Sequence, residues 1–370
     1  MARRTLARGI CSVWLAALTF SACGSTPAPS ASPASVAAAQ SPAATPTTGP
    51  TPSPSPLPSP AIPVDPTIAD LTGVKTDPTL AHRLPIAVLI DDNQVARPQS
   101  GFNGASIVYQ APADGGETRY MMVFQEGDAA QIGPVRSARI YFVHWASEIG
   151  AGIGHYGGDR LSRAYLATYN HQRFTNIEAL GPGGHAYHRI SSRSAPHNGY
   201  TSTKALRAME LKLGGPASIE PATWRRPFRA PGSRASLPAA QHLVVPYRTG
   251  RIDYRFDAAS DLYRRSVDGK AQVDPADGKA VTTRNVVVLF MSFHTDSHIE
   301  PGHARPVIGD IGTGRAFVYR EGRRIEGTWS KTDELAPTHL FDSSGAEIPL
   351  VTGRTFFQIV PLGTKVTDGT

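Results

Sequence analysis

The chain has 370 residues, with 37 Lys and Arg against 30 Asp and Glu, a formal net charge of +7. Arg3, Arg4 and Arg8 lie ahead of Cys23, so the rest carries only about +4, too little for a nucleic-acid surface but compatible with an anionic wall or membrane. The only two cysteines are Cys11 and Cys23, which excludes disulfide staples and cysteine-ligated metals from everything after residue 23.

In chain order the first element is an export signal, residues 1–22: three arginines, then an apolar stretch 10–20 that is too short to span a bilayer. Ser21 and Ala22 directly before Cys23 resemble the bacterial lipobox, which implies lipidation of Cys23 and an extracytoplasmic, membrane-anchored protein. From Gly24 to Val64 there is no charged or aromatic residue, and prolines recur among Ser, Thr and Ala. Such a stretch buries nothing that would offset ordering entropy, so a disordered tether over 23–79 is expected.

The run 84–90 reads as a buried strand that ends in Asp91-Asp92-Asn93, and runs 106–109, 119–124 and 152–155 are further strands. Helical periodicity covers 139–149, 161–169 and 202–213, the last closed by Gly214-Gly215-Pro216. Interleaved strands and helices predict an N-terminal α/β domain with a mixed sheet over 80–214. A Pro/Arg-rich linker is expected over 215–240. Beyond it, Asp268-Gly269, Asp277-Gly278, Glu321-Gly322 and Ser344-Gly345 punctuate short strands, the clearest at 286–290, 315–319 and 355–360. That spacing predicts a mainly antiparallel C-terminal β domain over 241–361, with a frayed tail at 362–370. The fold class is therefore α+β in two domains.

Several blocks together resemble the YerB-like bacterial lipoproteins. They are Asp91-Asp92-Asn93, 96–101, 105–109, Gly115-Gly116-Glu117-Thr118-Arg119, 132–139, Ser191-Ser192-Arg193, Ala195-Pro196-His197-Asn198 and 200–202. In the second domain 285–288, Glu326-Gly327-Thr328-Trp329 and 358–361 carry the likeness. The resemblance spans nearly everything after residue 80 and implies a two-domain exported lipoprotein, whose domains are catalogued as of unknown function. It implies no reaction.

The residues with the most chemistry are cationic. Arg97, Arg119, Arg136, Arg139 and Arg193 fall in loop or strand-end segments, and guanidinium forks suit carboxylate or phosphate oxygens. Read together they are expected to line a pocket for an anionic ligand, with Asp114, Glu117, Ser137, His155, His197 and Asn198 alongside. Read singly, each arginine pairs with a neighbour such as Asp91, Asp92, Asp114, Glu117 or Asp159. His155, His185, His188 and His197 beside these acids have metal-ligand types but no diagnostic spacing, so no metal and no cofactor is assigned. Ser137 reads as a turn or cap residue of the helix at 139, and no Gly-x-Ser-x-Gly elbow or phosphate-binding loop follows residue 65. Trp329, Phe356, Phe357 and Tyr319, like Tyr141 and Trp145, read as core.

The sequence thus points to a lipid-anchored protein that binds an anionic cell-envelope component, or a wall-assembly partner, through an arginine-rich cleft, with no nucleic acid involved. The competing reading is an extracytoplasmic hydrolase or transferase with His155 or His197 as base. No catalytic residue is assigned.

Overall fold

A computed structural model describes residues 65–216, 226–232 and 237–369. The signal, Cys23 and the tether up to residue 64 lie outside the described residues. No helix among the described residues is long and apolar enough to cross a membrane.

Each apolar run forms the strand its pattern dictates. In the first half these are β1 (Ile86–Asp91), β2 (Ile107–Pro112), β3 (Thr118–Phe124), β4 (Gly152–His155) and β5 (Asn176–Glu178). Helices α1 (Ile140–Ser147), α2 (Arg160–Tyr169) and α3 (Thr203–Lys212) are interleaved with or follow them. Asp159 and Ser202 cap α2 and α3 by accepting hydrogen bonds from Ser162 N and Ala205 N.

The second half is antiparallel in character. It contains β6 (His242–Tyr247), β7 (Gly250–Asp257), β8 (Leu262–Val267), β9 (Asn285–Met291), β10 (Phe293–Glu300) and β11 (His303–Ile308). There follow β12 (Gly312–Arg320), β13 (Arg323–Lys331), β14 (His339–Asp342), β15 (Thr355–Pro361) and β16 (Thr367–Gly369). Asp268-Gly269 and Glu321-Gly322 each place two consecutive residues at positive φ, between 51° and 77°. A two-residue hairpin whose turn twists with its strands requires this.

The halves meet in one sheet. Its ten strands run β14-β13-β12-β9-β15-β2-β3-β1-β4-β5, with β15 parallel to both β9 and β2, and β1, β4 and β5 mutually parallel. A second sheet built on β8-β7-β6-β16 is separate from it. β1, β3 and nearly all of β15 are buried at every position, because the large sheet is covered on both faces. Alternation sorts their side chains: Ala87, Leu89, Tyr109 and Phe357 pack with α1, whereas Ile86, Val88, Ile90 and Phe356 pack with the second sheet and α3. Tyr109 stacks between Trp145 and Phe357, with ring centroids 5.2 and 4.8 Å away. Trp329 is buried in the helix-side core and donates to the Phe290 carbonyl at 3.0 Å.

Three segment expectations are corrected. Order begins by Asp65 rather than residue 80: Ile68 bridges Lys75, and buried Leu71 donates its N–H to Gln125 at 3.0 Å. Ala69 and Leu71 of this stretch are buried, so it has apolar surface to offset its ordering. The segment read as a linker is docked where described, with Phe228 and Arg229 pairing in parallel with Leu350 and Val351. The tail does not fray: β16 pairs with β6, and Asp368 accepts from the Tyr319 hydroxyl (2.7 Å) and Arg324 (2.8 Å).

Candidate functional site

β1 has neighbours of opposite sense, antiparallel β3 on one side and parallel β4 on the other. A crevice outside the carboxyl ends of parallel strands is where open α/β sheets place ligands. Asp91 closes β1 there, directly opposite Arg119 of β3. Residues 134–138 cross this end as a strap: Asp91 N donates to Pro134 O (2.9 Å), Arg136 N to Leu89 O (2.7 Å) and Ala138 N to Gly157 O (2.9 Å).

On that frame Asp91, almost wholly buried, holds two cationic-type side chains. Its Oδ2 lies 3.1 Å from Arg136 Nε and 2.7 Å from His197 Nδ1. Arg136 and His197 retain 28% and 21% side-chain exposure, and their outer nitrogens, the two Nη of Arg136 and Nε2 of His197, have no protein partner among the described residues.

Next to it, Asp114 gathers three guanidinium groups. Arg139 bonds it closely, Arg305 Nη1 lies at 2.9 Å and Arg119 Nη2 at 3.5 Å. Burial alone would raise the Asp114 pKa, but Arg139 and Arg119 outweigh that and hold it below the ordinary carboxyl value. Burial, then repulsion from Arg139, brings Arg119 down to about 10. Arg119 also donates to the Ser137 carbonyl at 2.7 Å, and Arg139 lies 3.6 Å from Asp159.

Other expected members have structural employment. His155 is fully buried, its Nδ1 2.7 Å from Gly157 O and its Nε2 2.7 Å from the Asn176 side chain, so it is not placed to take a proton from a solvent-borne substrate. Asn198 staples its own loop, accepting from Arg189 (2.6 Å) and donating to Ile190 O and Arg193 O. Glu117 accepts from the Asn93 amide. Arg193 donates to the carbonyls of Ala96 and Pro98. Ser137 does not cap α1, where Arg139 holds the cap position without a side-chain bond. Among the described residues no group of three or more His, Cys, Asp or Glu is arranged to hold a metal.

Arg97 is drawn elsewhere. Its Nε is 3.0 Å from the fully buried Asp92, which also accepts from Gln99 (2.9 Å), Gln110 (3.1 Å) and Thr118. The expected single arginine pocket is therefore two regions, divided by which of two consecutive aspartates anchors them. Sequence reading missed Arg305, which reaches Asp114 across 191 positions and leaves no local trace.

Comparison with known proteins gives the family. Residues 71–214 match the N-terminal domain, and residues 243–357 the C-terminal domain, of the protein family of unknown function DUF3048. A Bacillus subtilis (strain 168) protein named as a lipoprotein, YerB, is 29% identical over 300 residues, covering 79% of this chain and 86% of that protein. The crystal structure of Bacillus subtilis YerB superposes with a TM-score of 0.71 at 27% identity, covering 81% of this chain and 99% of that one. With both halves matched in order and the fold shared, the chain belongs to the YerB-like DUF3048 family.

Proposed function

We propose that this protein is exported, anchored to the cell membrane through lipidated Cys23, and binds an anionic component of the cell envelope at the carboxyl end of β1. One observation carries the reading: buried Asp91 hydrogen-bonds His197 and lies within ion-pair distance of Arg136 Nε, while the outer nitrogens of both face solvent without partners among the described residues. A carboxylate paired at the Nε end of a guanidinium leaves its two Nη groups as a planar donor fork for an incoming oxyanion. The envelope as the source of the ligand is supported by the Ser21-Ala22-Cys23 signal and by the lipoprotein name of the Bacillus relative. A wall-assembly protein presenting acidic groups would satisfy the same donors.

Purified wall sacculi, intact or stripped of their anionic polymers, test the reading. Intact sacculi should retain the full chain, whereas stripping them or the Arg136→Ala change should cut retention several-fold, with no soluble fragment released. Full retention by Arg136→Ala would end the proposal. The second reading, hydrolase or transferase, draws on the same geometry, since an imidazole held through Nδ1 by a carboxylate exposes Nε2 as a base. Fragment release that disappears in His197→Ala would favour it.

A further inference from the structure

We propose a second ligand site on the second-sheet side of the main sheet, where an open cavity of about 630 Å3 receives a small carboxylate with an apolar body. Segment 97–99 forms one wall and the hairpin from Val267 to Pro275 the other. Nothing in the Asp91 cluster contributes to it. The apolar lining comes from Pro98, Val267, Ala271, Val273 and Pro275, and Val273 is 44% exposed, so an apolar body has surface to cover.

Arg97 gives the cavity its chemistry. Asp92 fixes its Nε from the buried side, and the two Nη make only long contacts, 3.4 Å to the Thr249 carbonyl and 3.7 Å to Asp268. Asp268 accepts from Arg251 N through Oδ1 at 2.7 Å, and its Oδ2 stays beyond hydrogen-bond distance of Arg97. Among the lining residues Arg97 and Lys270 face one acid, Asp268, and the buried Asp92 behind Arg97 offsets the other charge, so the cavity has no large positive surplus. That balance disfavours a phosphate dianion, and the guanidinium fork of Arg97 matches the two oxygens of a carboxylate. The protein's own proline-rich stretch cannot supply the anion, because residues 24–64 contain no Asp or Glu.

The experiment titrates the full chain with octanoate and N-acetyl-leucyl-alanine, and with their uncharged amides, by ligand-observed NMR and calorimetry. Both acids should bind at least tenfold more tightly than their amides, and Arg97→Gln should erase that difference. Ala271→Trp narrows the mouth from an exposed position without touching Asp92, and should weaken both acids at least tenfold. Arg136→Ala should leave their affinity unchanged, which separates this site from the one at Asp91. Equal binding of acids and amides, no effect of either cavity variant, loss of binding in Arg136→Ala, or no binding at about 10 mM would each overturn the proposal.

Discussion

Asp91 and Asp92 are neighbours in sequence, and the regions they anchor use arginine differently. Around Asp91 and Asp114 four guanidinium groups share two carboxylates, and Arg119 and Arg139 are nine-tenths buried or more. Asp92 instead holds one guanidinium from behind, and the far edge of Arg97 opens on a cavity. The difference teaches that an arginine is available to a ligand according to what its outer nitrogens meet, not according to whether it has an acidic partner. By that measure Arg136 and Arg97 are available and Arg139 is not.

Removing an anchor breaks the comparison most severely. Asp92→Ala strands Arg97, Gln99, Gln110 and Thr118 around a fully buried gap, and should cost about 3–5 kcal/mol in urea unfolding. A loss under 1 kcal/mol would mean that water replaces the carboxylate and that Arg97 is not held in place.

Glu210 sharpens it from the other side, as a buried carboxyl without adequate partners. Burial pushes its pKa from 4.5 up to about 8, and Arg207 only partly opposes this. Below 4.5 the shift costs the fold nothing; between 4.5 and 8 the unfolded chain releases its proton first, so stability falls as pH rises. Glu210→Gln should therefore gain about 2–3 kcal/mol at pH 7 and nothing at pH 4, read from urea curves at the two pH values. An equal effect at both would show that Glu210 is paired and ionised in the fold.

The smallest effect is expected at the ribbon β10–β11. Arg305→Ala removes its tie to Asp114 and should cost about 1 kcal/mol, with faster amide exchange over 293–308 and unchanged exchange in β1. If β1 also exchanged faster, the ribbon would be part of the Asp114 cluster's support rather than an appendage to it.

Local features were legible in the sequence. The runs at 84–90, 119–124, 152–155 and 355–360 became strands because continuous burial leaves a continuous apolar signature, and Asp268-Gly269 and Glu321-Gly322 became turns because they admit positive φ. Pairing was not legible. Ile107 beside Thr355 and Arg305 beside Asp114 are set by topology, which writes nothing into the residues near either partner. The candidate site shares that limit: whether each arginine meets a carboxylate, a carbonyl or open space depends on strand order. Lys270 and Val273 carried no signal at all, since a hairpin turn says nothing about what its strands face.

The parallel seam between β2 and β15 has a consequence for how the chain is made. A nascent chain finishes β2 long before Thr355 exists, so throughout synthesis of the second half the first half has a bare backbone edge. The first matched domain made without the second would keep that edge bare, so its solubility depends on a strand encoded about 250 residues downstream.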